Sequence, residues 1–475
     1  MPLDTFATAN VHLLSPPQLP SELWIYIFEL ATYVPGLLET GCHDPFSGTG
    51  PLLIDEGRHE MNRPLCTKRS LVLVCKLWCK LAWPLLHRVL IVECVVGHIL
   101  PQFDLGNEVK LDGALLPRGA NVRRLHCILH TTVPADDPAI EDLSTFIRSL
   151  PRLEIFSLRG PQENRRGSTA YMVHNPVPEP VLLALAERGP TLRVLDWMPD
   201  RLSVADPAQW RAMLSRLPGL RIIRKCMDES VAWSRTPSIS DASSISLPQL
   251  VSSTWDQAGW STHLLPRDNL ESLRELELPE LGTIPPPPNI SSNITRLTLH
   301  INSSLRQDRD ARRQLEVTLA MFPQVVDLVL WVRYWADLCA AISLPRIKRL
   351  GLGRLRPPDG EYETDHFVLP TVLYQYIRAP QLKVVRFVGR DEWSPNAHHD
   401  QEDFLLLQMM TAQRYIIDPM KSFTVEDREG RLLVDHEGRV LLGTLRDGRR
   451  FLQSSHGETL DLTSIYEEEK SKYAH

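Results

Sequence analysis

Cys75 and Cys79 stand one helical turn apart with His87 downstream, a spacing at which a metal site has to be considered. Structural zinc needs four ligands in two close pairs; here the third and fourth are missing, and Val74, Leu77 and Leu81 surround the thiols. Two packing thiols are expected instead. His398-His399-Asp400 has no Glu-x-x-His or cysteine pair beside it and reads as a loop. No Gly-x-Ser-x-Gly elbow, phosphate-cradling Gly-x-x-x-x-Gly-Lys-Ser or dinucleotide fingerprint occurs. Nucleophiles are plentiful, but none is paired with a base at a meaningful spacing. The chain is therefore expected to be no enzyme, with no metal and no cofactor of its own. What remains is the chemistry of protein contact.

Composition points the same way. The 475 residues are 43% hydrophobic and 23% charged, ordinary values for a folded chain that buries a core. A net charge of -6 supplies no global attraction to nucleic acid or acidic membranes, so neither is expected as a partner. Eight cysteines in so long a chain fall short of a disulfide framework, which implies reduced thiols and an intracellular setting, cytoplasmic or nuclear. Met1 to Gln18 lacks the pattern of a signal peptide, and the most apolar run, Val89 to Leu100, is too short and too interrupted to span a bilayer.

Two stretches near the start carry more apolar surface than one stripe needs. In the first, Pro20 and Glu22 suit an opening helical turn, Leu23, Ile27, Leu30 and Val34 share one face, and Trp24 and Phe28 widen it. The second opens at Thr67, places Leu71, Val74, Trp78 and Leu81 on one side, and is expected to stop at Pro84. A helix apolar on two strips needs two neighbours, and unexplained apolar surface marks a partner site.

The order of these residues resembles the F-box: Leu19-Pro20-x-Glu22-Leu23, Ile27-Phe28-x-Leu30, a break, then Leu71-x-x-Val74-Cys75-Lys76-x-Trp78-x-x-Leu81-Ala82, running into a strand at Val89-Leu90-Ile91-Val92. The resemblance implies docking onto the Skp-type adaptor of cullin-RING ubiquitin ligases, and through it to a cullin. Carried over position by position, the adaptor-binding residues are Leu19, Pro20, Leu23, Ile27, Leu71, Val74, Cys75 and Trp78. The pattern departs at residues 37 to 66, where a compact F-box has a short link. This stretch, rich in Gly, Pro and His, reads as a surface loop.

From 120 to 388 one phrase recurs, with apolar residues at the first, fourth and usually sixth positions. It starts at Val122, Leu153, Leu192, Leu220, Leu250, Leu273, Ile294, Val325, Ile347 and Leu382, at spacings of 21 to 39 residues. Such a phrase makes a short strand that forms a core only when stacked on its neighbours, with helical text between the copies covering the outside. The chain thus resembles F-box proteins with degenerate leucine-rich repeats, of the fungal type. The expected fold class is α/β: a helical F-box, an irregular solenoid with a strand and helix per repeat, and a small antiparallel cap. The domains read as 15–92 with its inserted loop 37–66, 93–390 for the solenoid, and 391–475 for a helix, a β-meander and a tail.

Strand alternation turns the residues between the apolar anchors to the other face, where a target protein would bind. Those are Arg124, His126, Glu275, Glu277, Arg296, Arg349 and Arg386, mixed in sign; a merely solvated face is the plainer reading for any one of them. Trp331, Tyr334 and Trp335 are either an interface anchor or core. Ser234 to Ser253, with Thr236-Pro237, is expected to be an exposed insertion, phosphorylated or simply flexible. The expected function is a substrate-recognition subunit of a Skp-cullin-F-box ubiquitin ligase. The alternative is a non-catalytic repeat scaffold that binds a partner without ligase assembly, and a hydrolase on a repeat frame ranks below both.

Overall fold

The computed structural model describes residues 19–34, 36–41, 44–46, 66–95, 98–100, 109–111, 114–116, 118–129, 138–159, 179–198, 207–225, 244–254, 268–278, 281, 288–354, 372–388, 423–426 and 432–434. Three helices open the described chain: α1 (Ser21–Ala31), α2 (66–74) and α3 (Lys76–Leu86). Trp24, Phe28 and Trp78 pack ring against ring with centroids 4.7 to 5.7 Å apart, and Ala82 and Leu85 close the cluster beneath them. Two expectations fail here. The second stretch is not one helix, because Cys75 adopts extended backbone and caps α3, its Sγ accepting the Trp78 N–H at 3.5 Å. Pro84 does not stop the helix either. It sits inside the last turn of α3, where it cannot donate to the Lys80 carbonyl, and buried Leu85 and Leu86 hold the turn in place.

Beyond α3 the chain is mixed α/β. Twelve parallel strands follow in sequence order, each beside its predecessor: β1 (Val89–Val95), β5 (Arg124–Leu129), β6 (Ile155–Arg159), β7 (Val194–Met198), β8 (Ile222–Lys225), β9 (Ser252–Thr254), β10 (Glu275–Leu278), β11 (Arg296–Ile301), β12 (Asp327–Val332), β14 (Arg349–Arg354), β16 (Val384–Phe387) and β17 (Thr424–Glu426). Antiparallel strands β2 (His98–Leu100) and β18 (Leu432–Val434) flank the two ends. Short strands β3 (Val109–Leu111) and β4 (Ala114–Leu116) form a separate hairpin, and β13 (Ile342–Ser343) pairs with β15 (Ile377–Arg378).

Every apolar anchor lies two residues before a strand, from Val122 before β5 to Leu382 before β16. The same hydrogen bond repeats at each step. Arg88 O accepts from the N–H groups of Arg123 and Arg124, Arg123 O from Glu154 and Ile155, Glu154 O from Arg193 and Val194, and so on to Lys348 O, which accepts from Lys383 and Val384. This ladder fixes the register, so Leu125, Phe156, Leu195, Ile223, Ser253, Leu276, Leu297, Leu328, Leu350, Val385 and Val425 form one row across the sheet. Helices α4 (Pro138–Arg148), α5 (Glu179–Glu187), α6 (Pro207–Leu214) and α8 (Arg309–Met321) bury Leu143, Leu185, Trp210 and Leu315 in the same core; the one-turn α7 (Pro288–Ser291) adds Ile290.

Of the Ser234–Ser253 insertion, the part from Ser244 onward is half anchored: Ser244, Ser246, Pro248 and Gln249 are exposed, but apolar residues between them are not. Ile245, Leu247 and Leu250 are buried, Ser246 bridges Asn269, and the segment runs straight into β9. Ser234 to 243, His398 to Asp400, and the expected helix, meander and tail of 391–475 apart from 423–426 and 432–434 lie outside the described residues.

Candidate protein-binding surfaces

Helical geometry divides the residues of α1 and α3 between inside and outside. Trp24 and Phe28 face Trp78, while Leu23, Ile27 and Leu30, about 100° around the helix, do not. Leu23 is 47% exposed, Ile27 40% and Val74 59%. Among the described residues, nine of the eleven large apolar side chains left exposed belong to this module: Leu19, Leu23, Tyr26, Ile27, Leu30, Tyr33, Leu73, Val74 and Leu77. The exposed Leu73, Val74 and Leu77 flank the break at Cys75, where α2 ends and α3 begins. Pro20 and Cys75 are exposed as well. Leu71 and Trp78, expected at the adaptor contact, are half-buried parts of the module's own core. The module is fixed to the sheet by the Arg88–Glu29 ion pair at 2.7 Å and by the bonds that Arg88 O accepts from β5.

The sheet face opposite the leucine row carries the expected target-binding residues. Adjacent parallel strands bring equal offsets side by side, so Glu275, Arg296, Asp327 and Arg349 stand in one row with alternating sign. Arg296 pairs with Glu275, Arg349 holds Asp327 through two nitrogens, and Arg386 holds Glu426 from Nε at 2.9 Å and from Nη2. In the next row Glu277 accepts from His300 at 2.9 Å. Burial pushes the Glu277 carboxyl up, but the hydrogen bond and charge of His300, with Arg224 and Thr254 behind them, prevail and hold it at about 2. Burial pushes the Glu275 carboxyl up against the pull of Arg296, and Asp44 adds to the rise.

This face is not open. Arg124 and His126 are each 1% exposed, and Arg124 Nη1 donates to Leu37 O at 2.9 Å. At the far end Arg296 Nη2 meets Asp44 Oδ1 at 2.9 Å, Arg349 Nη1 approaches Asp44 Oδ2 at 3.7 Å, and Arg386 Nη1 donates to Pro45 O at 3.1 Å. The Arg349 guanidinium lies 4.6 Å from the centre of the Phe46 ring, which is 6% exposed. Residues expected in a surface loop therefore form a strap. Its first part packs Val34 and Leu37 on Val89 of β1, and its last part, Asp44-Pro45-Phe46, lies against β11, β14 and β16. Leu37 and Pro45 thus meet this face at β5 and β16, nine strand steps or about 43 Å apart along the sheet, and the strap-covered face is the inner one.

Asp44, Pro45, Phe46, Asp327 and Glu426 were absent from the expected site. The alternation of Glu275, Arg296, Asp327 and Arg349 at one offset from the anchors is a signal that was available; for the strap no periodic signal exists. Trp335 is core, while Trp331 is half-buried on the inner face against Gly353, where a Cβ would come within 2.6 Å of its ring. Among the described residues, no group of three or more His, Cys, Asp or Glu is placed to hold a metal, and no helix is long and apolar enough to cross a membrane. No protein-family model matches this sequence, and no curated protein matches it.

Proposed function

We propose that this chain is the substrate-recognition subunit of a Skp-cullin-F-box type ubiquitin ligase. Residues 15–92 act as an F-box that binds the Skp adaptor, 93–390 as a leucine-rich-repeat solenoid that holds a target, and 391–475 as a cap and tail. The chain supplies proximity inside the cell and no catalysis of its own. The observation that carries this reading is the concentration of exposed apolar side chains on the first three helices. The sheet and its helices bury their leucines almost completely, whereas this small module leaves Leu23, Ile27, Val74 and Leu77 uncovered. Each of these gains about 1 kcal/mol or more on being covered. The sequence order shared with the F-box says by what.

The test is capture of a purified Skp-type adaptor by the full chain. Leu23→Asp and Val74→Asp place a charge on exposed positions, so both variants should keep the wild-type circular dichroism and melting temperature while capture weakens at least tenfold. Trp78→Asp is a poor test because it destroys the module's core. No capture by wild type, or undiminished capture by both aspartate variants, would leave the scaffold reading in place.

A further inference from the structure

We propose that the inner sheet face over β11, β14 and β16 is a recognition cradle for a short peptide that carries a carboxylate two residues before an aromatic ring, and that Asp44-Pro45-Phe46 is its resident, intramolecular ligand. This names the class of target for the receptor reading and in that respect rests on it.

Three features separate a ligand from a mere packing loop. The first is that the cradle is complete without its occupant. Arg296 already has Glu275, Arg349 already has both oxygens of Asp327, and Arg386 already has Glu426. Asp44 therefore adds a carboxylate to a row that was balanced, and the neighbouring Glu275 carboxyl is pushed further up by it. On the Arg349 guanidinium, which both carboxylates hold charged, Asp327 acts more strongly than Asp44. The second is that each strap residue is read by a different kind of contact: the Asp44 side chain by two guanidinium groups, the Pro45 carbonyl by a third, and the Phe46 ring by the faces of Arg349 and Arg386, 4.6 and 6.0 Å away. Phe46 N also donates to Asp44 Oδ1 at 3.0 Å, so the motif is a compact turn that a peptide can reproduce. The third is access. The Arg349 side chain remains 34% exposed and that of Asp44 25%, so a competitor can approach the carboxylate position while the strap is still in place.

The cradle sits on regular strands and its occupant on the connection between α1 and α2. Rigid elements hold a site open while a loop vacates it. Tethering gives the strap an effective concentration on the order of millimolar, which a free peptide must overcome.

The test uses the full chain and a fluorescein-labelled synthetic peptide of residues 37–48 with serine in place of Cys42, followed by fluorescence anisotropy. Asp44→Ala/Phe46→Ala empties the cradle and should bind the peptide at least tenfold more tightly than wild type does. Adding Arg349→Gln to the emptied chain, or alanine at either the Asp or the Phe of the peptide, should weaken binding at least tenfold. If the double variant melts out, Asp44→Asn alone retains the ring and should show a smaller gain in the same direction. Equal binding to wild type and emptied chain, no binding to a folded emptied chain, or indifference to the peptide's Asp and Phe each overturns the proposal. Adaptor capture by the emptied chain, measured separately, should equal that of wild type. Absence of capture by both chains, with peptide binding intact, would count against the ligase reading and leave the cradle standing.

Discussion

Lys68 shows how a single residue can burden a module. Its side chain lies in α2 with only 5% of the residue exposed, and burial, with Arg88 nearby, lowers the ammonium pKa from 10.5 to about 8. At neutral pH the lysine is charged in both folded and unfolded chains, so the full desolvation cost falls on the fold. Between pH 8 and 10.5 the unfolded chain binds the proton more tightly, and stability rises with pH through that window. Lys68→Met keeps the bulk and removes the charge. It should stabilise the protein by about 1 to 3 kcal/mol at pH 7, an advantage that shrinks as the melts are repeated toward pH 10. An equal or lower melting temperature at pH 7 would mean that the ammonium has found compensation the burial does not reveal. The same contrast between type and surroundings explains why residue identities near the start marked an apolar helical module but not which of its side chains stay exposed. Leu23 and Trp78 are both apolar and both on helical stripes, yet one is exposed and the other lies against Trp24 and Phe28.

Elements are joined here mostly by apolar stacking, but ion pairs also join them and one is deeply buried. Arg211 of α6 and Asp268 form a two-pronged pair with both distances at 2.9 Å, and Asp268 Oδ1 also accepts the Ile245 N–H at 2.9 Å. Removing one partner of a buried pair strands the other charge, so Asp268→Ala should cost about 3 to 5 kcal/mol in urea unfolding, whereas Asp268→Leu combined with Arg211→Met should recover much of that. A cost for Asp268→Ala near that of an exposed pair, under about 1 kcal/mol, would show that the surroundings reabsorb the guanidinium. No periodicity announces such a pair, because 57 residues separate its members and each is an ordinary charged residue in the sequence. The strands were legible for the opposite reason. Val122, Leu153, Leu192 and their successors are anchors whose spacing within each copy is set by the strand itself, and each predicts a strand two residues on. Phe423 and Val425 before and within β17 do the same work in shorter text, which read as part of a terminal meander instead of as the next parallel strand. Asp44, Pro45 and Phe46 have no repeat to belong to, so only the folded chain reveals that they close over β11 to β16.

On the scale of the whole molecule, a sheet in which each strand touches only its predecessor and successor should transmit stress no further than one or two steps. Leu297 and Leu328 are direct partners in adjacent strands of the leucine row, and both are fully buried. Leu195, in the same row, lies on β7, five strand steps from β12, or about 24 Å along the sheet. Each leucine cut to alanine should cost about 2 to 5 kcal/mol. The neighbours share one cavity wall, so Leu297→Ala with Leu328→Ala should depart from the sum of the single effects by about 0.5 to 3 kcal/mol, while Leu195→Ala with Leu328→Ala should add to within about 0.5 kcal/mol. Urea midpoints of the three single and two double variants beside wild type measure both. The strap is the one described segment that joins distant strands, touching β5 through Leu37 and β16 through Pro45. Coupling between Leu195 and Leu328 larger than that between Leu297 and Leu328 would therefore mean that the strap on the inner face, rather than the stack of strands, governs how this molecule holds together.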